Sequence, residues 1–595
     1  MKDYIKYIQP HTFAFLQNNI SLLANPNEIN ELISDICGID NFFKDQNESL
    51  NLLDNLKSSQ IVREESDKIE YGDFQTPYTL TNSICSHLLR GKACPEIIIE
   101  PTFGKGSFII SALNHFQNVS EIYGIEIFEP YYWWTKFSIL EMFINNPNLR
   151  KAKILLYLDD IFKFDLGIIG SSIKDRKILI LGNPPWVTNS KLGGLNSNNL
   201  PQKSNFKSLN GLEAITGKSN FDIAEYIIML MLNYFSKYEG SMAILLKNSV
   251  IRNLIYDLPK MNYNIDNISA LEIDTKGFFG ASVNASLLEF KLKSLEPSFT
   301  CKVSGFDLPN SSDKYFGWSN GKFASDIVLY RKIYKYDGIC PYIWRQGVKH
   351  DCSKIMEVEF INGKYKNGLE IEVDLEEDPI YGLVKSSDLN SLIISKTRKH
   401  VIITQKTIGE NTFYLLNRFP KLHQYLLDSS RFFEMRKSGV YKNMPPFSIF
   451  GIGDYSFKLY KVAISGLYKR SKFSLILSES SKPLMLDDTC YFIGFDRISD
   501  AIFAWAILNS NPVQQLLGSI VFLDSKRPYT KDILMRIGVD IIAKEFTYKD
   551  IANYIQALDE RMLSYVNHNL WDTFLEEIID KNAEKEQLSL FSTKC

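Results

Sequence analysis

The spacing of hydrophobic residues changes along the chain and predicts four parts. Residues 1–70 have apolar positions at helical spacing, which predicts an N-terminal helical segment. Residues 71–297 alternate short β-branched runs with amphipathic helical stretches. Residues 298–545 mix short strand-like runs with Gly, Asn, Asp and Ser turns, which predicts a separate α+β domain. Residues 546–595 begin as a charged helical stretch, and the last residues are predicted to form a loose tail.

Strand-like and helical stretches alternate regularly in the second part. The candidate strands are 97–99, 122–127, 154–158, 178–181, 242–246, 270–274 and 285–292. The candidate helices between them include 108–116, 131–143 and 221–238. Such alternation is typical of a mainly parallel sheet with helices on both faces. The sequence therefore predicts an α/β fold for residues 71–297.

Composition and charge argue against several classes of protein. Hydrophobic residues make up 45% and charged residues 23% of the 595 residues, which is ordinary for folded domains. The net charge of -2 gives no overall signature of a nucleic-acid-binding protein. The eight cysteines include no C-x-x-C pair and none at metal-ligand spacing to a histidine, which argues against zinc and Fe–S sites. Scattered thiols, the absence of a signal core and the absence of an apolar run of about 18 residues predict a soluble cytoplasmic protein without a membrane span.

A glycine-containing loop follows the first predicted strand and precedes a helix. Its notable positions are Glu100, Pro101, Gly104 and Gly106. Glycine lets the backbone turn sharply and approach a ligand closely, and a helix N-terminus supplies unpaired N–H groups. This arrangement suits a nucleoside cofactor at the carboxyl end of the strand, although a G-x-G pair alone is also compatible with a simple tight turn. The spacing of a Walker loop is absent, and Ile109 stands where a dinucleotide motif needs a third glycine.

Acidic residues follow the next two predicted strands. Glu126 closes the second strand and could accept hydrogen bonds from both ribose hydroxyls of a cofactor. Asp160 follows the third strand and could accept a hydrogen bond from the cofactor's adenine amine. A solvated turn explains Asp160 equally well.

The tetrapeptide Asn183-Pro184-Pro185-Trp186 follows the fourth predicted strand and is the sharpest signal in the chain. The two prolines fix φ and remove two backbone donors, which leaves neighbouring carbonyl acceptors free to face a cleft. The Asn183 amide oxygen and the Pro184 carbonyl can both accept from one planar amino group, and Trp186 offers a flat face for a base. Two acceptors on an aromatic amine favour a pyramidal nitrogen, whose lone pair can then attack a methyl group.

These motifs resemble those of the DNA amino-methyltransferases of the adenine-N6 type, found in restriction–modification systems. The resemblance covers residues from about Tyr71 to Ser294, and Gln75-Thr76-Pro77 resembles the family's additional cofactor motif. It implies a Rossmann-like seven-stranded methyltransferase sheet and S-adenosylmethionine as the cofactor. The order of the motifs matches the gamma arrangement, in which a target-recognition domain comes last. That arrangement assigns residues 71–297 to the methyltransferase domain and 298–545 to DNA recognition.

The resemblance also implies roles for individual residues. Thr76 and Glu100 would lie near the methionine part of the cofactor, Glu126 on the ribose, and Asp160 with the Ile161 backbone on the adenine. Asn183, Pro184, Trp186 and Phe279 would surround the flipped target base. Trp186 departs from the family pattern, where tyrosine or phenylalanine is usual, but it can still stack on a base.

A basic segment in the C-terminal half predicts contact with double-stranded DNA. Residues 431–472 contain nine basic and two acidic residues, with aromatic residues between them. The candidate DNA-binding residues there and in a second basic stretch, residues 524–531, are Arg431, Arg436, Lys437, Lys442, Lys458, Lys461, Lys469, Arg470, Lys526 and Arg527. Phosphate and base contacts would explain this composition. A solvated face whose aromatic residues belong to a local core is the alternative.

Other functions and partners fit parts of the sequence. A protein glutamine methyltransferase shares the Asn-Pro-Pro-aromatic motif, but such enzymes resemble only the catalytic domain. RNA adenine or DNA cytosine-N4 methylation is a second alternative, and a non-catalytic DNA-binding specificity subunit is a third. The sequence contains no convincing nuclease motif, so any paired restriction endonuclease is expected in another chain.

The C-terminal pentapeptide suggests one further partner. Gln587, Leu588, Leu590 and Phe591 resemble the motif by which bacterial replication and repair proteins bind the sliding clamp. Exposed apolar side chains at a mobile end lower solubility, so they are expected to bind a partner. The alternative is that these side chains fold back onto the preceding helix.

Overall fold

The computed structural model describes residues 7–58, 75–187, 222–261, 263–280, 283–306, 313–479 and 481–592, with the backbone alone for 58 and 583–592. The chain divides into two compact units, Met1–Gly321 and Lys322–Cys595. Sequence analysis predicts four parts with a boundary after residue 297. The division between the two compact units falls later, after Gly321, because two strands beyond residue 297 extend the sheet of the first unit. The four-part organisation remains a prediction.

A large twisted sheet forms the centre of the first unit. Its strands are β1 (Ile97–Glu100), β2 (Glu121–Glu126), β3 (Lys153–Leu158), β4 (Ile178–Gly182), β5 (Gly240–Lys247), β6 (Ile265–Glu272), β7 (Ala285–Leu292), β8 (Thr300–Gly305) and β9 (Lys314–Ser319). Within this unit the strand order is β9-β8-β6-β7-β5-β4-β1-β2-β3. Strands β1 to β5 pair in parallel, and β7 is antiparallel to both β5 and β6. The seven strands from β6 to β3 confirm the predicted Rossmann-like methyltransferase sheet.

Helices and 3-10 turns surround this sheet. They are Pro10–Asn18, Ile20–Ala24, Pro26–Cys37, Gln46–Ser58, Tyr78–Arg90, Ser107–His115, Glu129–Asn145, Gly167–Ile173, Ile223–Phe235, Asn248–Met261 and Thr275–Phe279. The N-terminal helices share one hydrophobic core with the sheet. Phe42 and Phe43 pack against Trp133, with ring centroids 6.2 and 6.1 Å apart. The predicted N-terminal helical segment therefore packs on the methyltransferase fold rather than forming a core of its own.

One strand of the sheet differs clearly from the predicted position. The prediction 270–274 falls at the end of β6, which begins five residues earlier at Ile265. A bulge between Asp266 and Ser269 interrupts the pairing of β6 with β7, and Asn267 adopts a left-handed φ of 51°. The bulge breaks the two-residue alternation of apolar and polar side chains, so this part of the strand is not evident in the sequence.

The second unit contains two smaller sheets. Its strands are β10 (Lys322–Ala324), β11 (Arg345–Gln346), β12 (Glu357–Ile361), β13 (Lys364–Asn367), β14 (Glu372–Val373), β15 (Ile380–Val384), β16 (Ile393–Ile394), β17 (Lys399–Ile402), β18 (Tyr460–Ser465), β19 (Ser474–Leu477), β20 (Met485–Leu486) and β21 (Cys490–Phe495). One sheet has the order β11-β21-β18-β19-β16, and the other has the order β14-β13-β12-β17-β15-β20. This architecture confirms the predicted α+β character of the C-terminal half.

Short helices connect these strands, and a helical group ends the chain. The helices and 3-10 turns are Ile327–Ile333, Tyr334–Tyr336, Ser353–Met356, Ser386–Asn390, Tyr414–Arg418, Pro420–Asp428, Ser430–Glu434, Gly439–Tyr441, Asp454–Phe457, Ile498–Leu508, Asn511–Ile520, Lys531–Leu534, Val539–Ala543, Tyr548–Asp559, Glu560–Tyr565 and His568–Ser592. The last helix includes most of the segment predicted as a loose tail. Across the described ranges, no helix has the length and apolar character needed to cross a membrane.

Candidate active site

The carboxyl ends of β1, β2 and β4 meet at one edge of the sheet. Strand β1 lies between β2 and β4 and pairs in parallel with both, with Ile99 opposite Tyr123 on one side and Ile180 on the other. The glycine loop after β1 and the Asn-Pro-Pro-Trp loop after β4 therefore leave the same edge. Ligands of open α/β sheets bind at this edge, so the topology joins motifs that lie about 80 residues apart in the chain.

The glycine loop has the backbone that only glycine adopts easily. Gly104 and Gly106 have left-handed φ values of 54° and 72°, and the helix Ser107–His115 begins directly after Gly106. A Cβ on Gly104 would lie 2.7 Å from the side chain of Gln75, and one on Gly106 would overlap Thr135. Both positions therefore exclude larger residues for conformational and steric reasons.

Glu126 is held at the carboxyl end of β2 by two backbone donors. The Gly104 N–H donates to Glu126 Oε2 at 2.8 Å, and the Phe128 N–H donates to Oε1 at 2.8 Å. These bonds connect the glycine loop to the second strand and orient the carboxylate. The structure thus brings together Gly104 and Glu126, which the sequence links only by spacing.

Glu100 is a buried acid with an unsatisfied oxygen. Among the described residues, no donor bonds its Oε2. Burial raises the pKa of Glu100 well above its usual range, and the neighbouring Glu126 raises it further. Buried polar atoms in folded proteins are nearly always bonded, so an exception of this kind is typical of a ligand site. A cationic group is the ligand that this pair of carboxyls would favour.

Asp160 occupies a tight turn after β3. Its Oδ1 accepts from the Phe162 N–H at 3.0 Å, and Lys163 Nζ lies 3.6 Å from Oδ2. Ile161 is buried beside it. The turn that the sequence offers as an alternative for Asp160 is thus present, and contacts of Asp160 and Ile161 with a cofactor remain predictions.

Three exposed apolar side chains near these strand ends were missed by the sequence analysis. Ile127 and Phe128 follow β2 with 45% and 51% exposure, and Leu158 ends β3 with 43% exposure. Exposed apolar residues gathered at the ligand-binding edge of a sheet favour contact with a flat ligand. These residues could have been identified from the sequence, because apolar residues stand at and just after the strand ends, where polar turn residues are usual.

Asn183 is oriented by a residue from far upstream. Asn183 Nδ2 donates to Thr76 Oγ1 at 3.1 Å, and Thr76 is 9% exposed. The contact of Thr76 with the methionine part of the cofactor, which the family resemblance implies, remains a prediction. An amide whose NH₂ group is fixed on one side directs its carbonyl oxygen to the other. Pro184 is buried and Pro185 half-buried in the same loop.

The two predicted aromatic walls are in contact. The ring centroids of Trp186 and Phe279 are 5.5 Å apart at an interplanar angle of 64°, an edge-to-face arrangement. Trp186 is 7% exposed, and its Nε1 donates to the Leu245 carbonyl at 3.4 Å. Phe279 ends the short helix Thr275–Phe279 and is followed by Gly280, which has a left-handed φ of 61°. The structure therefore brings together two residues predicted from separate motifs.

An ion pair that was not predicted from the sequence supports the Asn-Pro-Pro-Trp loop. Lys247 forms a close ion pair with Asp222, and its Nζ also donates to the Trp186 carbonyl at 3.4 Å. Asp222 caps the following helix by accepting from the Ala224 N–H at 3.2 Å, and the Ile223 N–H donates to the Val187 carbonyl at 3.0 Å. A lysine at the carboxyl end of an apolar strand beside β4 was the signal that could have identified this support.

The candidate DNA-binding residues of the second unit fall into two groups. Those with exposed side chains are Arg431, Lys437, Lys442, Lys469, Arg470 and Lys526. Four others have partners within the protein. Arg436 stacks on Tyr441 at 3.7 Å from the ring centroid, Lys458 pairs with Asp496, and Arg527 Nη2 lies 3.6 Å from Asp488 Oδ2.

The fourth residue, Lys461, is not placed to contact phosphate. Its side chain is fully buried in β18, and its Nζ donates to the carbonyls of Lys458 and Leu484, the latter at 2.9 Å. Burial lowers the pKa of Lys461 to about 7. β18 lies between β21 and β19, and Lys461 stands in its otherwise apolar run. We therefore reassign Lys461 from a candidate DNA contact to a residue of the core.

The clamp-like pentapeptide lies within the backbone of the last helix, His568–Ser592. The side chains of Gln587, Leu588, Leu590 and Phe591 are outside the part of the chain described at side-chain level. Binding to a sliding clamp therefore remains a prediction.

Comparisons with known proteins identify relatives of the chain. The family model for N-6 DNA Methylase matches residues 62–288. The Type II methyltransferase M.NspV from Nostoc sp. is 38% identical over 482 residues, which cover 81% of this chain and 98% of the relative. Among solved structures, the type IIL restriction-modification enzyme MmeI in complex with DNA has a TM-score of 0.45 at 13% identity and covers 85% of this chain and 73% of its own. The type IIG restriction endonuclease BpuSI has a TM-score of 0.33 at 13% identity and covers 98% of this chain and 77% of its own.

The identity to M.NspV extends over almost the full length of that enzyme, beyond the segment that the family model matches. The family model confirms the resemblance inferred from Glu100, Gly104 and Asn183. The chain belongs to the N-6 DNA methylase family, as a DNA methyltransferase of the restriction–modification type that uses S-adenosylmethionine as its methyl donor.

Proposed function

We propose that this enzyme methylates N6 of an adenine flipped out of double-stranded DNA. The observation that carries the proposal is the Asn183 amide, fixed by Thr76 next to Trp186 at the carboxyl end of β4. A base inside the duplex cannot reach such a loop, so it must leave the stack at a cost of roughly a few kcal/mol.

The two acceptors of the catalytic loop suit an exocyclic amine. The lone pair of such a nitrogen is delocalised into the ring, which makes the amine a poor nucleophile. Hydrogen bonds from its two hydrogens to Asn183 Oδ1 and the Pro184 carbonyl would favour a pyramidal nitrogen with a localised lone pair. In the structure Thr76 Oγ1 accepts from the Asn183 NH₂ group, and in this orientation the amide oxygen would face the amine.

The aromatic pair would open to admit the base. A base stacked between two parallel rings separates their planes by roughly 7 Å, because each stacked contact needs about 3.5 Å. The edge-to-face contact of Trp186 and Phe279, with centroids 5.5 Å apart, leaves less room than that. Trp186 is held through its indole nitrogen and its carbonyl, whereas Phe279 is followed by a left-handed glycine. We infer that Phe279 is the wall that moves.

The residues at the carboxyl ends of β1 to β3 fit S-adenosylmethionine. When bound, S-adenosylmethionine supplies an electrophilic methyl group on a positively charged sulfonium. The buried Glu100, with its unsatisfied oxygen, would accept from the ammonium group of the methionine part. Glu126 would orient the ribose, the Asp160 turn would contact the adenine amine, and Ile127 with Phe128 would cover the adenine ring.

DNA contact would involve the exposed basic residues of the second unit. Arg431, Lys437, Lys442 and Lys526 are exposed and can reach phosphates. A partner restriction endonuclease would be a separate protein, since the sequence of this chain contains no convincing nuclease motif.

The proposal is tested by separating catalysis from cofactor binding. Asn183→Ala should lower turnover on duplex DNA by about 100-fold to 1,000-fold, the usual effect of removing one preorganised hydrogen-bonding group from a reacting centre. Calorimetric affinity for S-adenosylmethionine should stay unchanged. Thr76→Val keeps the amide but removes its anchor, so it should lower turnover less than Asn183→Ala does. Near-normal turnover of Asn183→Ala would refute the proposal.

A further inference from the structure

The connection between β18 and β19, residues 466–472, is here named the basic turn. At its tip, Lys469 and Arg470 are exposed, and among the described residues neither forms an ion pair or a side-chain hydrogen bond. Tyr468 beside them is 39% exposed. Other cations of the same segment are engaged within the protein, as Lys458 and Lys461 are. The tip therefore keeps two adjacent cations exposed, as the segment also does singly at Arg431, Lys437 and Lys442.

The two ends of the basic turn are firmly anchored. Ser465 Oγ accepts from the backbone N–H groups of Leu467 and Tyr468 at 3.2 and 3.3 Å, and the Gly466 N–H donates to the Thr489 carbonyl at 2.8 Å. On the other side, Gln514 Nε2 donates to the Ser471 carbonyl at 2.8 Å. A recognition loop held in one conformation before binding loses little conformational entropy when it binds.

The basic turn contributes residues to two cavities. One, of about 490 Å³, is lined by the first half of the turn and by acidic and polar side chains, notably Leu467, Tyr468, His350, Asp351, Asp487 and Asp488. The other, of about 420 Å³, is lined by Lys469 and Arg470 and by apolar side chains that include Leu517, Val521 and Leu523. Asn509 and Gln514 also line it, but their amides are bonded to the protein itself. Carboxylates repel phosphate but accept from the amino groups of cytosine and adenine. The carboxylates on one side of these cations therefore favour the reading of base edges over purely non-specific phosphate binding.

We propose that the basic turn enters a groove of DNA and determines part of the recognition sequence. Arg470 contacts a guanine edge, because a guanidinium can bond O6 and N7 together. Lys469 contacts a neighbouring phosphate. The proposal rests on the proposed function, since it supposes that duplex DNA is the substrate, and it adds which residues read that substrate.

The test uses the full-length enzyme, S-adenosylmethionine and a pool of duplexes with randomised sequence. Single-molecule sequencing of the methylated products gives the base preference at each position for the unaltered enzyme. Arg470→Ala and Arg470→Lys should both reduce the preference for guanine at one position by about 10-fold to 100-fold, because lysine keeps the charge but not the planar fork. Lys469→Ala should leave all preferences intact, weaken binding to every duplex and lower the salt slope by about one.

Arg331→Ala with Lys332→Ala is the matched control. These neighbouring cations are exposed on the helix Ile327–Ile333 of the same unit and have no ion pair among the described residues. The control removes two positive charges and should change neither the base preference of methylation nor the salt dependence of DNA binding. Melting temperature and S-adenosylmethionine affinity show whether each variant is folded.

Each outcome decides the matter. An unchanged sequence preference in folded Arg470→Ala overturns the inference while leaving the proposed function intact. A uniform loss of binding without loss of preference makes Arg470 a phosphate contact and also overturns it. No methylation of any duplex by the unaltered enzyme refutes the proposed function and this inference with it.

Discussion

Glu100 in the first unit and Lys461 in the second are both buried charged residues, yet their surroundings differ. Lys461 Nζ donates to two main-chain carbonyls, so its burial is compensated within the protein. Among the described residues, Glu100 Oε2 has no donor, and Glu126 lies close enough to raise the pKa of Glu100 further. A buried charge with internal partners needs nothing further, whereas an unsatisfied oxygen at the ligand-binding edge of a sheet leaves a place for a ligand to complete.

The same distinction separates the two functional regions. In the methyltransferase unit, side chains from distant segments converge on one sheet edge, as with Thr76 and Asn183. In the basic segment 431–472, half-buried Arg436 and buried Lys461 stabilise the unit, and the exposed tip at Lys469 and Arg470 is left for a partner. Residue type alone does not distinguish a cation that stabilises the fold from one that is free to bind a partner, whereas the hydrogen-bonding partners of each side chain do.

Among the variants that test this comparison, Glu100→Gln is expected to have the largest effect. Because the pKa of Glu100 is raised in the cofactor-free protein, the acid is protonated at lower pH and gains charge as the pH rises. A cationic ligand favours the charged form, so binding releases a proton and affinity should increase with pH, by at most tenfold per unit. Glutamine cannot ionise. The variant should bind S-adenosylmethionine about 10-fold to 100-fold more weakly at high pH and without this pH dependence.

Isothermal calorimetry at several pH values measures this dependence. Glu129→Gln is the control, because Glu129 is an exposed acid at the start of the helix Glu129–Asn145 and should not alter the pH profile. A pH profile of Glu100→Gln that matches the unaltered enzyme would mean that Glu100 does not face the ligand, and the contrast with Lys461 would be lost.

A smaller effect is expected from Lys247→Met. The substitution removes the donor to the Trp186 carbonyl and leaves Asp222 buried without its partner. Turnover should fall about tenfold with little change in KM, since the loop would lose positioning rather than substrate contact. Leaving Asp222 unpaired should also cost roughly 3–5 kcal/mol of stability.

Asp222→Asn combined with Lys247→Met separates these two effects. The double variant carries no unpaired charge, so its melting temperature should recover while turnover stays low. Recovery of turnover together with stability would show that the ion pair supports only the fold.

Lys461→Met should change stability but not DNA binding. The carbonyls of Lys458 and Leu484 would lose their donor, at a cost of about 1–3 kcal/mol. The folded-state pKa of Lys461, about 7, lies below that of the unfolded chain, so the unfolded chain binds more protons between the two values. The stability of the unaltered protein should therefore gain from raising the pH above 7, and the variant should lack this gain.

Two measurements decide the role of Lys461. Urea unfolding from pH 7 to pH 9 tests the stability effect, and the salt dependence of DNA binding tests the contact. A reduced salt slope in Lys461→Met would show that Lys461 contacts phosphate, as the sequence predicted. It would contradict the assignment of Lys461 to the core.

The smallest effect on catalysis is expected from removing the C-terminal pentapeptide. A chain ending at Glu586 should methylate DNA at the normal rate, because the removed residues lie outside the methyltransferase motifs. If Leu590 and Phe591 dock on a sliding clamp, only the full-length protein should capture purified clamp. Equal or absent capture by both would leave the alternative that these residues cap the helix.

The sequence predicted the parts of the site that depend on local pattern and sheet topology. The glycine loop and Asn183 could be placed together because parallel neighbours β1 and β4 end at one edge. The Thr76 bond to Asn183 and the support from Lys247 could not be predicted, since side-chain partners across about 60 to 110 residues leave no periodic signal. The burial of Lys461 was partly visible, because that lysine interrupts an apolar run in a strand with neighbours on both sides.

The identity of the methylated base tests the central claim most directly. Unmethylated duplex DNA is incubated with the purified enzyme and S-adenosylmethionine labelled in its methyl group, digested to nucleosides and analysed by mass spectrometry. The structure and the family motifs predict label in N6-methyladenine alone, formed about 100-fold to 1,000-fold more slowly with Asn183→Ala. Label in N4-methylcytosine, or label formed at a near-normal rate by folded Asn183→Ala, would contradict this account of the site.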